Sequence, residues 1–368
     1  MSAYLGRRMF VLGSAAFLTQ MTMFRKAFGQ ALSTTTVPTV DSLTITVVMD
    51  SNHDIFLRAP TPKAVRIRRT PGVEDWRKTL HNQWGLSLAL ESKAGSDTRR
   101  VLLDFGYQPE TLLENLQMLK VDPSQLDAIV VSHGHFDHFG GLVGFLKKHR
   151  GAMRRDLALY VGGEENFCVR KRRTGTPNHF ADWGTLDRRE VEAERVDIVS
   201  CEKPMVMARH AFSSGTIGRA GFEKVLPNTM VIYGKQGEIG CNPTAGGGRE
   251  TFKPVHDEHL MEHATCYNLR ERGLVVISSC GHAGIINSIR AAMDASGVRK
   301  LHALVGGFHL APADDEYLRQ SVAALKNLNP DVVIPMHCSG INFIQAMREQ
   351  MPDRLAMSTT GSIFTLGA

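Results

Sequence analysis

The chain has 368 residues, of which 43% are hydrophobic and 22% are charged, so it can bury a sizeable core. Four of its 43 basic residues and none of its 37 acidic residues lie within residues 1–31. The rest of the chain has 39 basic and 37 acidic residues and a net charge of +2. This balance gives no support to nucleic-acid binding.

Residues 1–31 have the pattern of a twin-arginine-type signal peptide. Arg7 and Arg8 precede an uncharged apolar run over residues 9–18, and small residues follow at Ala27, Gly29 and Ala31. The run has only ten residues, whereas a membrane-spanning helix needs roughly 20, so we expect no stable membrane insertion. The pattern predicts cleavage near Ala31, a Ser/Thr/Pro-rich linker over residues 32–42, and a mature protein that is periplasmic or secreted.

Residues 43–368 are predicted to form a single domain. Residues 51–84 contain three prolines and predict a long loop. The hydrophobic patterns of the N-terminal half predict strands over 43–48, 85–92, 99–106 and 126–133, with helices over 110–120 and 140–150. The pattern then weakens between about 150 and 265, which indicates a less regular insertion.

The C-terminal third is regular again. It predicts strands over 273–282, 301–309 and 331–337, each followed by a helix, and a last strand over 361–367. Strands that alternate with helices are typical of an α/β protein whose sheet is largely buried.

Three histidines and an aspartate are crowded into six positions that begin at the last residue of the predicted strand 126–133: His133, His135, Asp137 and His138. An extended segment projects residues two apart to the same side, so the first two histidines face one way. Burying four such groups together without a cation is costly. Because imidazole and carboxylate groups are ligands of zinc, iron and manganese, the cluster predicts a metal site.

Further histidines occur where other predicted strands end, at His282, His309 and His337. Sites in α/β proteins form beyond the carboxyl ends of the strands. If the strands are parallel neighbours, these histidines converge with the 133–138 cluster at one edge.

Other polar groups have less specific interpretations. The run 170–173, Arg-Lys-Arg-Arg, is interpreted as a solvated loop rather than a docking patch for an anionic substrate. His256, His259 and His263 are interpreted as solvated residues, with a second metal cluster as the alternative. Cys280 and Cys338 adjoin two of the strand-end histidines; we interpret them as small buried residues, with metal ligation as the alternative. The sequence permits a disulfide but does not say which cysteines form it.

The motif HxHxDH at the end of a strand resembles the signature of the metallo-β-lactamase superfamily. Within it, the chain is most similar to the branch named for dihydropterin ribofuranosyl-aminobenzene phosphate synthase. The segments that carry this resemblance are GLSLALE, LLDFGY, SHGHFDHFGGL, TIGRAGFE, GLVVISSCGHAGIINSI, VGGFHL and PMHCSG. It implies an αββα sandwich with a metal at the sheet edge and a hydrolase-like activity.

Transferred position by position, the resemblance implies two ligand sets. His133, His135 and His282 would hold a first metal, and Asp137, His138 and His337 a second. His309 stands where the superfamily often has a bridging Asp or Cys. Phe105 replaces a common Thr and Gly218 a usual Pro. Export also argues against cytoplasmic pterin synthesis, so the fold and the metal site are expected but the synthase activity is not.

The resulting hypothesis is an exported metal-dependent hydrolase that binds zinc as one or two ions, with iron or manganese possible. Hydroxide formed on the metal would attack an ester, lactone, amide or phosphoester. Asp137 would orient or deprotonate the nucleophile and His309 would stabilise the oxyanion. Asp50, Asn52 and Arg219 are candidates for contact with a small-molecule substrate.

The sequence leaves several alternatives open. An iron-dependent dioxygenase of the same fold and a non-catalytic, metal-dependent binding protein are the rival functions. Arg219 has a second interpretation, as an ion-pair partner of Glu223. A homodimer is compatible with the sequence.

Overall fold

Two β-sheets face each other in the computed structural model, which describes residues 36–69, 75–248, 250–251 and 253–367. The predicted signal peptide lies outside the described residues. Residues 35–368 cluster as one unit. In the described part of the chain, no helix combines the length and the apolar character needed to cross a bilayer.

The first sheet has eight strands and contains most of the N-terminal half of the domain together with the last strand. Its strands are β2 (Ser42–Met49), β3 (Arg66–Arg68), β4 (Ser87–Ala94), β5 (Asp97–Leu103), β6 (Ala128–Val131), β7 (Ala158–Val161), β10 (Asp197–Ser200) and β21 (Ile363–Gly367). Their order across the sheet is β10-β7-β6-β5-β4-β2-β21-β3.

The second sheet has seven strands and carries the C-terminal third. Its strands are β1 (Thr39–Val40), β11 (Met205–Met207), β12 (Ala211–Ser213), β17 (Thr265–Leu269), β18 (Gly273–Ile277), β19 (Leu301–Gly307) and β20 (Val332–Met336). The order is β11-β12-β17-β18-β19-β20, with β1 also paired to β17. Strands β18, β19 and β20 are parallel to one another.

Helices cover the outer faces of both sheets. They are α1 (Pro109–Met118), α2 (Phe136–Phe139), α3 (Leu142–His149), α4 (Arg188–Ala193), α5 (Ile285–Ser296), α6 (Asp315–Leu328) and α7 (Ile341–Gln350). The core residues of α1 and α3 pack with strands of the first sheet, and those of α5, α6 and α7 with strands of the second. The layers are therefore helix, sheet, sheet, helix, as the sequence predicted.

The central strands are buried on both faces. In β6, Ala128 and Val130 face the core between the sheets, whereas Ile129 and Val131 face the helices. In β18, Val275 and Ile277 face inward and Leu274 and Val276 face outward. Strands of this kind appear in a sequence as continuous apolar runs, which explains why these two were predicted.

The irregular region between residues 150 and 265 is only partly an insertion. Strands β7, β10, β11 and β12 belong to the two main sheets. The remainder forms a four-stranded sheet from β8 (Val169–Arg173), β9 (Phe180–Asp182), β13 (Met230–Ile232) and β16 (Val255–His256), and a hairpin of β14 (Lys235–Gln236) and β15 (Ile239–Gly240). A disulfide joins Cys168 to Cys241 in this region.

Candidate metal centre

The strand-end histidines converge, but from two different sheets. His133 and His135 follow β6 in the first sheet, whereas His282, His309 and His337 follow β18, β19 and β20 in the second. The expectation of parallel neighbours therefore holds within the second sheet only. The candidate site lies where the carboxyl ends of strands from both sheets meet, at one edge of the sandwich.

The first triad consists of His133, His135 and His282. One ligand atom from each of these residues lies within 4.8 Å of the other two, and all three side chains are buried. The ring centroids of His133 and His282 are 5.0 Å apart, and those of His135 and His282 are 4.8 Å apart. Three imidazoles at this spacing can surround one cation.

The second triad consists of Asp137, His138 and His337, whose ligand atoms also lie within 4.8 Å of one another. Asp137 Oδ2 is 3.3 Å from His337 Nε2 and 4.0 Å from His138 Nε2. The 133–138 segment thus supplies two residues to each triad, and the second sheet supplies one histidine to each.

Asp104 fixes ring orientation in both triads. Its Oδ2 accepts hydrogen bonds from His138 Nδ1 at 2.8 Å and from the Ser132 hydroxyl at 2.8 Å. Because that hydroxyl donates to Asp104, it accepts from His133 Nδ1, which lies 2.9 Å away. Both histidines therefore carry the proton on Nδ1 and turn the Nε2 lone pair towards the site. Carboxylates that hold metal-ligating histidines in this way tune the ligand as well as its geometry.

His135 is held by a second carboxylate. Its Nε2 donates to Thr229 Oγ1 at 2.8 Å, and the Thr229 hydroxyl donates to Asp257 Oδ2 at 3.1 Å. The buried Arg170 donates to the same Asp257 oxygen at 2.7 Å. Nδ1 of His135 is consequently the nitrogen left for a cation. The interpretation of Arg170 as part of a solvated loop is wrong, because its guanidinium neutralises a buried carboxylate.

His337 is anchored from the first sheet. Its Nδ1 is 2.9 Å from the Ser51 hydroxyl, and its backbone N–H donates to Asp50 Oδ1 at 2.7 Å. Burial raises the pKa of Asp50, although the His337 N–H and ring oppose that effect. Asp50, a candidate for substrate contact, therefore positions a site histidine instead.

Burial alone would raise the pKa of Asp137, but the neighbouring His138 and His337 outweigh it. The net result is a pKa below the ordinary value for aspartate, so Asp137 is ionised at neutral pH. Its Oδ1 is buried without a hydrogen-bond partner, so that oxygen is free to serve as a ligand.

The interpretation of His259 as a solvated residue is wrong. It is buried, and its ring is stacked on that of His282, with centroids 3.9 Å apart and planes inclined by 8°. His263 is also buried, donating from Nε2 to the Val131 carbonyl at 3.2 Å, with Ser213 Oγ 2.8 Å from Nδ1. His256 is partly exposed and lies 3.2 Å from Glu258.

Cys280 and Cys338 are both buried, and their Sγ atoms are 3.1 Å apart. His309 donates its backbone N–H to Cys338 Sγ at 3.2 Å and its ring Nε2 to the Pro227 carbonyl at 3.0 Å. Its Nδ1 is 4.0 Å from Cys280 Sγ. His309 thus contacts the cysteine pair rather than Asp137. One of its ring nitrogens and the two Sγ atoms lie within 4.8 Å of one another.

The donor set fits divalent cations. The buried atoms His133 Nε2, His138 Nε2, Asp137 Oδ1 and both ring nitrogens of His282 have no hydrogen-bond partner. Buried polar atoms normally have one, and leaving several together without any is costly. Imidazole nitrogens with one carboxylate are ligands that suit zinc, and they also suit iron and manganese.

A cleft of about 280 Å³ opens above both triads. His135, Asp137, His282, His309 and His337 form part of its wall, with Cys280, Cys338 and Thr229. The remaining lining residues are Trp84, Arg172, Arg173, Trp183 and Asn228. Arg172 and Arg173 of the basic run therefore line the cleft; both are exposed, as predicted, but they belong to strand β8 and not to a loop.

The other substrate candidates lie outside this lining. Asn52 is exposed, and its carbonyl oxygen accepts from Thr360 N–H at 2.8 Å. Arg219 is exposed and pairs with Glu258 at 2.7 Å. The alternative pairing of Arg219 with Glu223 is not observed, because the Glu223 carboxylate accepts the N–H groups of Ile286 and Asn287 at the start of α5.

Comparison with known proteins agrees with the fold and with the position of the histidine cluster. The metallo-beta-lactamase superfamily model matches residues 91–186, which include the 133–138 cluster. The 7,8-dihydropterin-6-methyl-4-(β-D-ribofuranosyl)-aminobenzene-5'-phosphate synthase of Methanocaldococcus jannaschii is 27% identical over 288 residues, covering 77% of this chain and 90% of the relative. An uncharacterised protein of the same organism is 24% identical over 283 residues, covering 74% of this chain and 90% of the relative.

Among solved structures, a metal-dependent hydrolase of the β-lactamase superfamily matches with a TM-score of 0.62 and 18% identity. The match covers 89% of this chain and 99% of that chain, so the two share one fold over almost their whole length. With its two facing sheets, its outer helices and the HxHxDH cluster at the sandwich edge, the chain has the metallo-β-lactamase fold, and residues 91–186 match the model of that superfamily.

Proposed function

We propose that this protein is a metal-dependent hydrolase that binds two divalent cations, one at each triad, and cleaves a small anionic phosphoester. The observation that carries the proposal is the convergence of unpartnered, buried ligand atoms from both triads beneath an open cleft. Zinc suits the donor set, and iron and manganese are compatible with it.

A divalent cation at the first triad would lower the pKa of a bound water towards about 7 and polarise the bond under attack. Around it, the chain supplies orientation. The fixed tautomers of His133 and His138 direct lone pairs inward, so little reorganisation is needed when a ligand binds.

Asp137 is the group best placed to handle the nucleophile's proton. It is ionised, it lines the cleft, and Oδ1 has no partner while Oδ2 lies near His337. In the proposed reaction this carboxylate orients the attacking water and accepts its proton. The side chain of His309 also lines the cleft, but its Nε2 donates to the Pro227 carbonyl, so contact with the oxyanion would require a second proton, on Nδ1.

The preference for an anionic substrate rests on the cleft wall. Arg172 and Arg173 are exposed there, and within the described residues neither guanidinium has an ion-pair or hydrogen-bond partner. Guanidinium groups bind phosphate oxygens through paired hydrogen bonds. An ester, a lactone and an amide are neutral at the reacting group, whereas a phosphoester is charged.

The same wall has groups suited to an organic portion of the substrate. Trp84 is 54% exposed, and its ring lies 4.9 Å from that of His337. Trp183 Nε1 and Asn228 Oδ1 are buried without partners, a donor and an acceptor, and both residues line the cleft. The relative from M. jannaschii is named for a 5'-phosphate product, which supports a phosphorylated ligand but not the same reaction.

A substrate panel tests this proposal. Purified protein loaded with zinc is assayed on an aryl phosphate monoester, an aryl phosphate diester, an aryl acetate, a lactone and a β-lactam. We expect the phosphoesters to be cleaved fastest. Efficient cleavage of the neutral substrates with no phosphoester cleavage would overturn the substrate class. Iron in the purified protein together with oxygen consumption would favour the dioxygenase alternative.

The arginines provide a matched control. The double variant Arg172→Ala/Arg173→Ala should raise KM for the phosphoester about 10- to 100-fold, since each hydrogen bond to a charged group contributes roughly 1.5–3 kcal/mol. Arg299→Ala removes an exposed arginine that pairs with Asp294 and does not line the cleft, and it should leave KM unchanged. Equal effects of the two changes would contradict the assignment.

Export is also proposed, on the pattern of residues 1–31. Expression of the full chain in a bacterium with twin-arginine transport, followed by fractionation, should give a shortened periplasmic protein. Replacing Arg7 and Arg8 by lysine should retain the full-length chain in the cytoplasm. Unchanged location and length would contradict the export proposal without affecting the catalytic one.

A further inference from the structure

Cys280 lies between the two triads. Its Sγ atom lies within 4.8 Å of a ring nitrogen of His133 and of a ring nitrogen of His138. His133 belongs to the first triad and His138 to the second. The Nε2 atoms of both histidines are buried without partners, and Cys280 itself is 2% exposed. The cysteine is thus placed where a single sulfur can face two cations.

Gly306 and Gly307, the last two residues of β19, allow the 278–280 segment to approach that strand closely. A Cβ at Gly306 would lie 2.1 Å from the Ser278 carbonyl oxygen, and one at Gly307 would lie 2.3 Å from that of Ser279. Both approaches are far closer than any side chain tolerates. Only glycine therefore lets the 278–280 segment pack against β19 and direct Cys280 into the site.

The side chain of His309 is not oriented to bridge the two triads, although its position in the sequence suggested that role. Its Nε2 donates to the Pro227 carbonyl, which leaves Nδ1 facing Cys280 Sγ at 4.0 Å. The place between the triads is consequently taken by a sulfur from the preceding strand end rather than by the residue after β19.

Charge favours a thiolate there. The two triads contain five imidazoles, which are neutral ligands, and the carboxylate of Asp137. Two divalent cations held by these groups alone would leave a large uncompensated charge in a buried site, which is unfavourable. A coordinating thiol loses its proton outright and adds a second negative charge.

We infer that Cys280 is a thiolate ligand shared by the two cations, with Cys338 as a positioning residue. This inference rests on the two-cation site of the proposed function. Cys338 Sγ lies 3.1 Å from Cys280 Sγ and accepts the His309 N–H. With Cys280 as thiolate, the Cys338 S–H donates to it. Hydrogen bonds of this kind orient a ligand without contacting the metal.

X-ray absorption spectroscopy at the zinc edge tests the inference without an activity assay. In the unmodified chain we expect one sulfur scatterer at about 2.3 Å from zinc, together with nitrogen and oxygen scatterers. Zinc bound with only nitrogen and oxygen neighbours would overturn the inference and leave the proposed function intact. Failure to bind zinc at all would instead count against the proposed function.

Three cysteine variants assign the sulfur. Cys280→Ser should remove it while zinc remains bound at the triads, and Cys338→Ser should retain it. Cys266→Ser, which changes a buried cysteine packed in the helix-covered core of the second sheet, should also retain it. A sulfur that persists in Cys280→Ser, disappears in Cys338→Ser, or counts as two in the unmodified chain would overturn the inference.

The outcome remains decisive if Cys280→Ser does not fold. The unmodified chain reports whether sulfur is bound, and Cys338→Ser reports whether the second thiol is its source. Substitution with cobalt gives an independent signal, because a thiolate ligand adds a near-ultraviolet charge-transfer band. That band should be present in the unmodified chain and in Cys338→Ser, and its absence from the unmodified chain would count against Cys280.

Discussion

The two sides of the cleft hold their ligands differently. On the first sheet, His133, His135 and His138 each have one nitrogen fixed by hydrogen bonds that lead to a buried carboxylate, Asp104 or Asp257. On the second sheet, neither nitrogen of His282 has a partner, and His337 is anchored by Ser51, which belongs to the first-sheet side.

This difference indicates that the first-sheet histidines are pre-organised for metal binding, whereas the orientation of His282 on the second sheet is fully fixed only when a metal binds. The 133–138 segment presents its lone pairs before any cation arrives, because buried protein groups occupy the other nitrogens. His282 depends on packing against His259 and on the cation itself. Metal binding would therefore tie the second sheet to the first, and its free energy would contribute to the stability of the fold.

The largest expected effect follows from removing the histidine that each triad receives from the second sheet. His282→Ala and His337→Ala should each lower the zinc content by about one ion per chain and reduce hydrolysis to background, because each triad then loses the only ligand that it receives from a strand-end histidine of the second sheet. Elemental analysis after dialysis measures the first effect.

His302→Ala is the matched control for these variants. His302 is a buried histidine at the start of β19 that pairs with Asp331 at 2.8 Å, at the opposite end of that strand from the site. It should retain the zinc content of the unmodified chain. Full zinc content in His282→Ala would remove that residue from the first triad.

The Asp104→Asn variant tests whether hydrogen bonds to a buried carboxylate pre-organise the first-sheet histidines. Asp104 has φ +59°, a conformation that asparagine adopts readily, so the backbone should persist. The amide loses the charge that fixes His138 directly and His133 through Ser132. We expect zinc affinity to fall roughly 10- to 100-fold, as measured by competition with a chelator.

Asp127→Asn serves as the control, since Asp127 pairs with Arg99 and Arg154 rather than with a site histidine. Its zinc affinity should match that of the unmodified chain. An unchanged affinity in Asp104→Asn would show that the carboxylate has only a structural role.

Variants of His259 test how His282 is held on the second-sheet side of the site. Its ring stacks on His282, and both of its nitrogens lack hydrogen-bond partners, with Nε2 3.7 Å from Asp257 Oδ2. If stacking is its role, His259→Ala should weaken zinc binding by about 10-fold, within the range seen when the outer supports of a ligand are lost, and His259→Phe should restore most of the affinity. His256→Ala, which removes a partly exposed histidine, should have no effect.

An equal loss in His259→Ala and His259→Phe would instead make His259 a ligand. The group formed by His135, Asp257 and His259 would then hold a cation of its own. Chelator competition on the three variants distinguishes these roles.

The smallest expected effect on zinc binding concerns His263, which is buried but lies outside both triads and has both nitrogens in hydrogen bonds, so its substitution should change stability instead. Burial lowers the pKa of His263 to about 4, although the Val131 carbonyl opposes the shift. The folded state therefore binds fewer protons than the unfolded state between about pH 6.5 and 4. The stability from His263 is present above about pH 6.5 and is lost as the pH falls towards 4, by roughly 3 kcal/mol.

His263→Gln should flatten that part of the profile, because glutamine can keep a donor and an acceptor without titrating. Denaturant unfolding at pH 7, 5.5 and 4.5 measures the free energy of unfolding of both chains. A profile for His263→Gln parallel to that of the unmodified chain would contradict the assignment.

Sequence reasoning found the parts of the site that follow periodic elements. The apolar runs before His133, His282, His309 and His337 contain strands, and each histidine follows the end of its strand by one to five residues. It could not assign these strands to two sheets, because fully buried strands of either sheet show the same continuous apolar pattern.

It missed residues that reach the site from irregular segments. Arg170, Asp257 and His259 lie between residues 150 and 265, where no hydrophobic period locates a side chain. Polar residues there have the same composition whether solvated or buried. The one available signal was the density of ionisable groups in the stretch 256–263, His-Asp-Glu-His-Leu-Met-Glu-His. The pairing of Cys168 with Cys241 likewise depends on the folded chain.

The most direct test of the central claim is the zinc stoichiometry of the metal-stripped chain after reloading, measured by elemental analysis on the unmodified protein and on His133→Ala/His138→Ala. Two cation sites built across the cleft predict about two ions per unmodified chain, a thermal transition that rises on loading, and little zinc in the double variant. Equal zinc content in the two proteins, or a chain that retains none, would contradict the account.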